Sequence, residues 1–343
     1  MITLAQIGCG YWGPNLLRSF SAQKDAWVKY VVDPSEERRR YVRENFPRTA
    51  PIDSLEAVLA DPDVQALVVA TPADTHFDIA HRGLRAGRHV FVEKPLARSV
   101  AEVDLLAAAA AERRLTLMAG HTFLYNPAVL YLKSLVDSGE LGRIYYLYSQ
   151  RLNLGVVRRD VNALWNLAPH DVSIFNFLLG ATPLAASAHG TDYLQKGVED
   201  VVFAHLEYPD QVTASLQVSW LDPNKVRKVT LVGSRKMVVY DDMADNKIVV
   251  YDKGIDSLAK DGNPLPFDHP DAGRLVYRSG DVHLPKIASA EPLREEAADF
   301  LGAIAEGRPP RSDSASGRGV VAALQAASLS LRENSRRVRL DEI

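Results

Sequence analysis

The chain contains one cysteine, Cys9, among 343 residues. No intrachain disulfide can form, and a lone thiol suits a reducing compartment. Long apolar runs are also missing. Nothing approaches the ~20 residues a membrane span requires, and the alanine run Ala107 to Ala111 is closed by Glu112 and Arg113. Neither charge dominates: 40 Lys and Arg against 43 Asp and Glu leave a net charge of -3, with the signs interspersed. That balance lacks the basic footprint of a nucleic-acid or anionic-membrane binder. No basic segment or small-residue cleavage site accompanies the opening Ile2-Thr3-Leu4-Ala5-Gln6-Ile7, so a secretory leader is not read. No group of His, Cys and carboxylates has metal-ligand spacing, and no metal is expected. Together these absences predict a cytoplasmic protein without nucleic-acid or membrane partners.

What is present is a chain long enough for two domains, with hydrophobic and charged fractions of 47% and 24% in the ordinary globular range. The first third alternates short apolar runs with helical patterns, the signature of a parallel sheet covered by crossover helices. Strands are expected at Ile2 to Ile7, Val28 to Val32, Ala66 to Ala70, Val90 to Val92 and Leu115 to Met118, with a short extended piece at Arg48 to Ile52. After about residue 120, strand-like runs follow one another from Arg143 to Tyr251, with helices expected at Pro127 to Ser138 and Pro169 to Leu179. The expected fold is α/β: a Rossmann domain over 1–120, then an α/β domain over 121–343 with a large, mainly antiparallel open sheet, its last helix packing back on the first domain. Gly254 to Gly273 reads as an exposed loop, and helices near Pro292 to Glu306 and Ser314 to Glu333 precede a short final strand.

Gly8-Cys9-Gly10-Tyr11-Trp12-Gly13 is a G-x-G-x-x-G turn between a strand and a helix. Gly8 allows the tight turn, Gly10 lets backbone approach a pyrophosphate, and Gly13 permits close helix–strand packing. The free N–H groups and dipole of the following helix favour phosphate. Tyr11 and Trp12 either pack on the helix or cover the phosphates. Asp33, 25 residues after Gly8, suits the adenosine ribose hydroxyls and would repel a 2′-phosphate, so NAD is favoured with NADP as the alternative. Asp33 could equally cap the helix at Ser35, and Arg38, Arg39 and Arg40 could be solvated charges or partners of a 2′-phosphate. A second segment, Val90-Phe91-Val92-Glu93-Lys94-Pro95, ends a buried strand with two charges at its carboxyl edge, where open α/β sheets bind ligands. Lys94 could donate to an alcohol oxygen, or simply pair with Glu93.

The Gly-rich turn, Ala70-Thr71-Pro72 with His76, Glu93-Lys94-Pro95 and the later Leu293…Glu296…Phe300 pattern resemble the Gfo/Idh/MocA dehydrogenases along essentially the whole chain. The resemblance implies a Rossmann domain followed by an open-sheet domain that builds oligomers, here a homodimer or homotetramer. It places Thr71, Pro72 and His76 on the nicotinamide side, Glu93 among the cofactor-binding residues, and Lys94 beside nicotinamide and substrate, often before a cis peptide to proline. It also makes His170 the catalytic histidine, whose ordinary pKa near ~6.5 suits taking a proton from an alcohol. Asn166 stands four residues earlier, where the family has aspartate; an amide orients a hydroxyl but cannot take its proton. Asp171 reads either as an orienter of the imidazole or as a helix N-terminal charge. The segments around Asn126 and His170, with Arg151-Leu152-Asn153, resemble sugar-nucleotide oxidoreductases acting at a ring carbon, with C3 favoured. Arg151, Arg158 and Arg159 then suit a diphosphate or carboxylate, or are solvated charges, and Asn153 and Asn126 join the substrate set. The implied activity is hydride transfer between nicotinamide and a secondary alcohol of a sugar. The alternatives are an inositol or free-sugar dehydrogenase, a non-catalytic NAD-binding regulator, and an NAD-dependent redox-neutral glycosidase.

Overall fold

The computed structural model describes residues 1–155, 157–258, 264–265 and 274–343. They divide into two compact units: Met1–Asn126 with Ala290–Gln325 and Ile343, and Pro127–Ser289 with Ala326–Glu342.

The first unit opens with β1 (Ile2–Ile7), α1 (Gly13–Ser21), β2 (Ala26–Val32), α2 (Glu36–Asn45), β3 (Ala50–Ile52), α3 (Leu55–Ala60) and β4 (Ala66–Val69). It continues through α4 (His76–Arg85), β5 (His89–Glu93), α5 (Val100–Glu112) and β6 (Leu117–Gly120). The six strands are all parallel in the order β3-β2-β1-β4-β5-β6. This doubly wound order reverses between β1 and β4, and ligands of such sheets bind at the carboxyl ends beside the reversal. β4 is buried throughout, as a strand covered on both faces must be. Ser35, Ser54 and Ser99 start α2, α3 and α5 by accepting from Arg38, Ala57 and Glu102 backbone N–H groups.

The second unit contains α6 (Pro127–Asp137), β7 (Ile144–Leu152), α7 (Ala163–Leu179), β8 (Ala185–Thr191), β9 (Val201–Glu207) and β10 (Thr213–Ser219). It goes on through β11 (Val226–Gly233), β12 (Met237–Asp241), β13 (Ile248–Leu258), β14 (Pro264–Leu265) and β15 (Arg274–His283). After α8 (Pro292–Glu306) and α9 (Ser314–Arg332), the strand β16 (Val338–Arg339) closes a ten-stranded sheet ordered β14-β13-β12-β11-β7-β10-β9-β8-β16, with β15 paired to β13. Its pairings are antiparallel except β7 with β10. Residues alternate along β9: Val202, Ala204 and Leu206 are buried, Phe203 and His205 exposed. α8 lies wholly in the first unit, and α9 belongs to it through Gln325.

Three sequence expectations are corrected. β8 and β15 have no counterpart among the expected strands. Residues 254–258 of the expected loop extend β13, while 259–263 and 266–273 lie outside the described residues. α7 begins at Ala163, not Pro169, because Asn162 caps it by accepting from Trp165 N–H at 3.1 Å. The helix then runs through Pro169, whose missing N–H leaves the Trp165 carbonyl without its usual donor.

Candidate active site

The glycine-rich turn of the first unit is held from beneath. Gly8 has φ +92°, and a Cβ there would lie 2.5 Å from the Ala70 carbonyl oxygen, so only glycine fits. Gln6, buried inside β1, donates from Nε2 to the carbonyls of Gly8 (2.9 Å) and Gly13 (3.0 Å) and braces both ends of the turn. Above Gly10 nothing lies within 4 Å of a Cβ, and no side chain caps α1. Open space over a glycine backbone, facing an uncapped helix N-terminus, fits a dinucleotide pyrophosphate. Tyr11 is 92% exposed and Trp12 42%; both stand at the surface of the turn.

Asp33 is 7% exposed, and both its carboxylate oxygens accept backbone N–H groups, from Cys9 at 2.7 Å and from Ser35 at 2.9 Å. It locks the phosphate turn to the start of α2, and each oxygen keeps lone-pair capacity for a ribose hydroxyl. Arg39 folds back onto the Asp33 and Pro34 carbonyls. Cys9 is buried, and burial with the Asp33 charge pushes its thiol up to about 11.

Thr71 and Pro72 form the turn after β4, where the Thr75 hydroxyl donates to Thr71 Oγ1 at 2.7 Å. His76 is 1% exposed, and its ring nitrogens face the Pro95 carbonyl (Nδ1, 2.8 Å) and the Thr71 carbonyl (Nε2, 2.9 Å). It thus ties two ligand-side turns together from inside. Burial draws its pKa below the ordinary value despite two carbonyl partners. Lys94 follows β5 directly and is joined to Pro95 by a cis peptide.

Below Lys94 lies a set of buried polar groups, of which the sequence reading gave a role only to Glu93, among the cofactor-binding residues. Glu93 is 8% exposed; its Oε2 accepts the Lys94 N–H at 3.1 Å, and its Oε1 has no hydrogen-bond partner. Burial lifts this carboxyl to about 7 against the pull of Lys94 and Trp12. His121 is 1% exposed with neither ring nitrogen partnered, and burial beside the Lys94 charge lowers it to about 4. Glu296 of α8 is wholly buried and accepts from the Thr122 hydroxyl at 2.7 Å. The sequence signals were available: His121 ends an apolar strand, and Glu296 interrupts the apolar stripe Leu293, Ala297, Phe300 and Leu301.

In the second unit, α7 carries Asn166 and His170 one turn apart, so both project from one face. Trp220, 1% exposed, donates from Nε1 to Asn166 Oδ1 at 3.2 Å. An indole N–H can only donate, so this bond fixes which end of the amide is oxygen. Asp171 lies mid-helix and is 1% exposed, which overturns the helix-terminal reading. Arg151 of β7 grips it through Nε (2.8 Å) and one terminal nitrogen (3.1 Å). Two of the nitrogens expected to meet a substrate anion are therefore spent on a buried, bidentate pair. Arg158 pairs with Asp160. Asn153 donates its backbone N–H to the Ser219 carbonyl at 3.2 Å, and Asn126 precedes α6. Among the described residues no group of three or more His, Cys, Asp and Glu could hold a metal ion, and no helix is long and apolar enough to cross a membrane.

A nucleotide-binding parallel sheet with a lysine at the end of its fifth strand, followed by an open sheet with a histidine-bearing helix, defines a two-domain dehydrogenase class. Residues 2–121 match the model of an oxidoreductase family with an NAD-binding Rossmann fold, and residues 129–239 that of the GFO/IDH/MocA C-terminal domain. The UDP-N-acetylglucosamine 3-dehydrogenase of Acidithiobacillus ferrooxidans is 32% identical over 321 residues, 92% of this chain and 94% of that protein. The chain belongs to the GFO/IDH/MocA oxidoreductase family. A crystal form of that dehydrogenase superimposes with a TM-score of 0.79 at 26% identity, covering 97% of this chain and 98% of the other. GenD2 from gentamicin A biosynthesis, in complex with NAD, gives 0.81 at 25% identity over 98% and 96%.

Proposed function

We propose that this NAD-binding oxidoreductase transfers a hydride between nicotinamide and a ring secondary alcohol of a nucleotide-linked sugar, with C3 the favoured carbon. The observation that carries the reading is the likeness, over more than nine-tenths of both chains, to a dehydrogenase named for a UDP-sugar and its 3-position. The residues fit the parts required. The Gly8 to Gly13 turn and the α1 N-terminus take the pyrophosphate, while Asp33 takes the ribose and disfavours a 2′-phosphate. Thr71 and Pro72 border the nicotinamide, with His76 and Glu93 holding that border from within. Bound dinucleotide supplies the hydride acceptor or donor. Lys94 stabilises the charge that grows on the alcohol oxygen, and His170 takes or returns the proton. Asn166 orients the substrate, with Asn153 and Asn126 completing the polar set, and Arg151 braces the helix that bears His170. The exposed face of the ten-stranded sheet, with Tyr146, Tyr148 and Phe203 at 44%, 38% and 51% exposure, suits assembly into a homodimer or homotetramer.

The test is to denature fresh protein, identify released nucleotide by mass spectrometry, and follow nicotinamide absorbance across a panel of nucleotide sugars, free sugars and inositols. Turnover of one nucleotide sugar with NAD supports the proposal. Turnover only of inositol or a free sugar corrects the substrate class. Bound NAD without turnover indicates a regulator, and free sugar released without net NADH a redox-neutral glycosidase. Lys94→Ala should lower kcat about 10²–10⁴-fold while leaving the NAD Kd within about twofold; equal loss of both would overturn the role given to Lys94.

A further inference from the structure

Two buried carboxyls, from elements far apart in sequence, converge behind Lys94. Phe91 and Glu93 lie two apart on β5 and share one face. Phe300 and Glu296 lie four apart on α8 and share another. The two phenylalanine rings meet edge to face with centroids 5.8 Å apart. Two residues of strand advance about 6.6 Å and four of helix about 6 Å, so that contact carries both glutamates to one level. The Thr122 hydroxyl, just past the end of β6, donates to Glu296 and fixes that level at the carboxyl end of the sheet. Glu93 pairs with Gly120 across β5 and β6, and a Cβ on Gly120 would lie 3.3 Å from the Glu93 carboxyl carbon and 3.2 Å from the Phe91 ring. The Glu93 carboxyl thus lies over the backbone that leads into His121 and Thr122.

The charges on every packed element agree. Facing Glu93 are the Lys94 ammonium, the Trp12 indole and Glu296. Facing Glu296 are Glu93, Asp299 and Thr122. His121 faces Lys94. Each carboxyl has one oxygen without a partner, and two carboxylates in one dry site cannot both ionise cheaply. Burial together with the Glu93 charge holds Glu296 well above the ordinary carboxyl range.

We propose that the Glu93–Glu296 pair holds one proton between them at neutral pH through electrostatic coupling, and that Glu93, carrying the remaining negative charge, is the positioning residue that keeps Lys94 an ammonium. This rests on the role given to Lys94 above, but its first test needs no turnover. Infrared difference titration of the whole protein should show a protonated carboxyl at pH 7 whose midpoint falls by about one pH unit in Glu296→Gln. Thr122→Val, which removes the donor on Glu296 without placing an amide in the core, should move the midpoint upward. The second test follows dimethylated Lys94 by ¹³C NMR: its midpoint should drop by about one unit in Glu93→Gln, while that of Lys24 stays fixed. Absence of a protonated carboxyl at pH 7, or midpoints unmoved by both Glu296→Gln and Thr122→Val, overturns the shared proton. A Lys94 midpoint unmoved in Glu93→Gln overturns the positioning role. A shared proton in a chain with no sugar turnover leaves the cluster standing and rejects only the proposed activity.

Discussion

Gly8 shows how little tolerance single positions have here. A methyl group at Gly8 meets the Ala70 carbonyl at 2.5 Å in a backbone conformation that L side chains avoid. Gly8→Ala should therefore weaken NAD binding at least tenfold by calorimetry, whereas Gly10→Ala, with open space around it, should fold normally and lose affinity only through the phosphate it crowds. Asn166 works differently. Its amide oxygen is held by the Trp220 indole, so Asn166→Asp keeps that bond and adds a negative charge one turn from His170. The imidazolium is favoured by a nearby carboxylate, and the acid-limb rise of the kcat/KM profile, where His170 loses its proton, should move to higher pH in the variant. A profile that does not move would separate the Asn166 face from the proton-transfer step.

At the scale of elements, α7 in the second unit and the β5–β6 edge in the first each hold buried ionisable groups. Arg151 and Asp171 join β7 to α7 with side chains 7% and 1% exposed. Removing one partner leaves a buried charge, which costs about 3–5 kcal/mol. Arg151→Ala should lower the urea midpoint accordingly, and Arg151→Met should recover part of the loss. A variant of unchanged stability but raised KM would instead return Arg151 to the substrate. The β5–β6 edge holds two groups of opposite sense. Burial raises Glu93 to about 7 and, with the Glu93 charge, holds Glu296 well above the ordinary range, so the pair's contribution declines as pH rises above the ordinary 4.5. His121 is held neutral down to about 4, below the ordinary 6.5, so its contribution grows as pH rises from about 4 to 6.5. The two slopes offset each other. His121→Phe should expose the carboxyl slope, with stability falling as pH rises from 5 to 8, as read from urea midpoints at each pH.

Across the whole molecule, the parallel sheet was legible because its inner strands, β4 above all, are apolar on both faces and its first turn carries glycine at fixed offsets. The open sheet was legible wherever strands alternate, as in β9. β8 was not, because Ala185-Ala186-Ser187-Ala188-His189-Gly190-Thr191 has small residues in place of the β-branched ones that mark a strand. The start of α7 was misplaced because Pro169 reads as a first-turn residue, and only the Asn162 cap reveals the longer helix. Gly8, Asp33, Lys94 and His170 were legible as motif positions. Glu296 was legible as a motif position but not as a partner of Thr122 and Glu93, and Trp220 was not legible, since such pairings join residues far apart along the chain. The exposed aromatic face predicts association: Phe203→Asp with Tyr148→Asp should lower the mass seen in analytical ultracentrifugation without changing NAD affinity. Unchanged mass would place any interface elsewhere.

The solitary Cys9 gives this chain a built-in clock. Its thiol is buried in the phosphate turn, its backbone N–H bound to Asp33, and it is the only sulfhydryl a reagent can find. Alkylation of the intact protein therefore has one product, whose rate counts how often that turn opens. Adding dinucleotide should slow the count by the factor by which binding closes the turn, giving a cofactor affinity without any substrate being known.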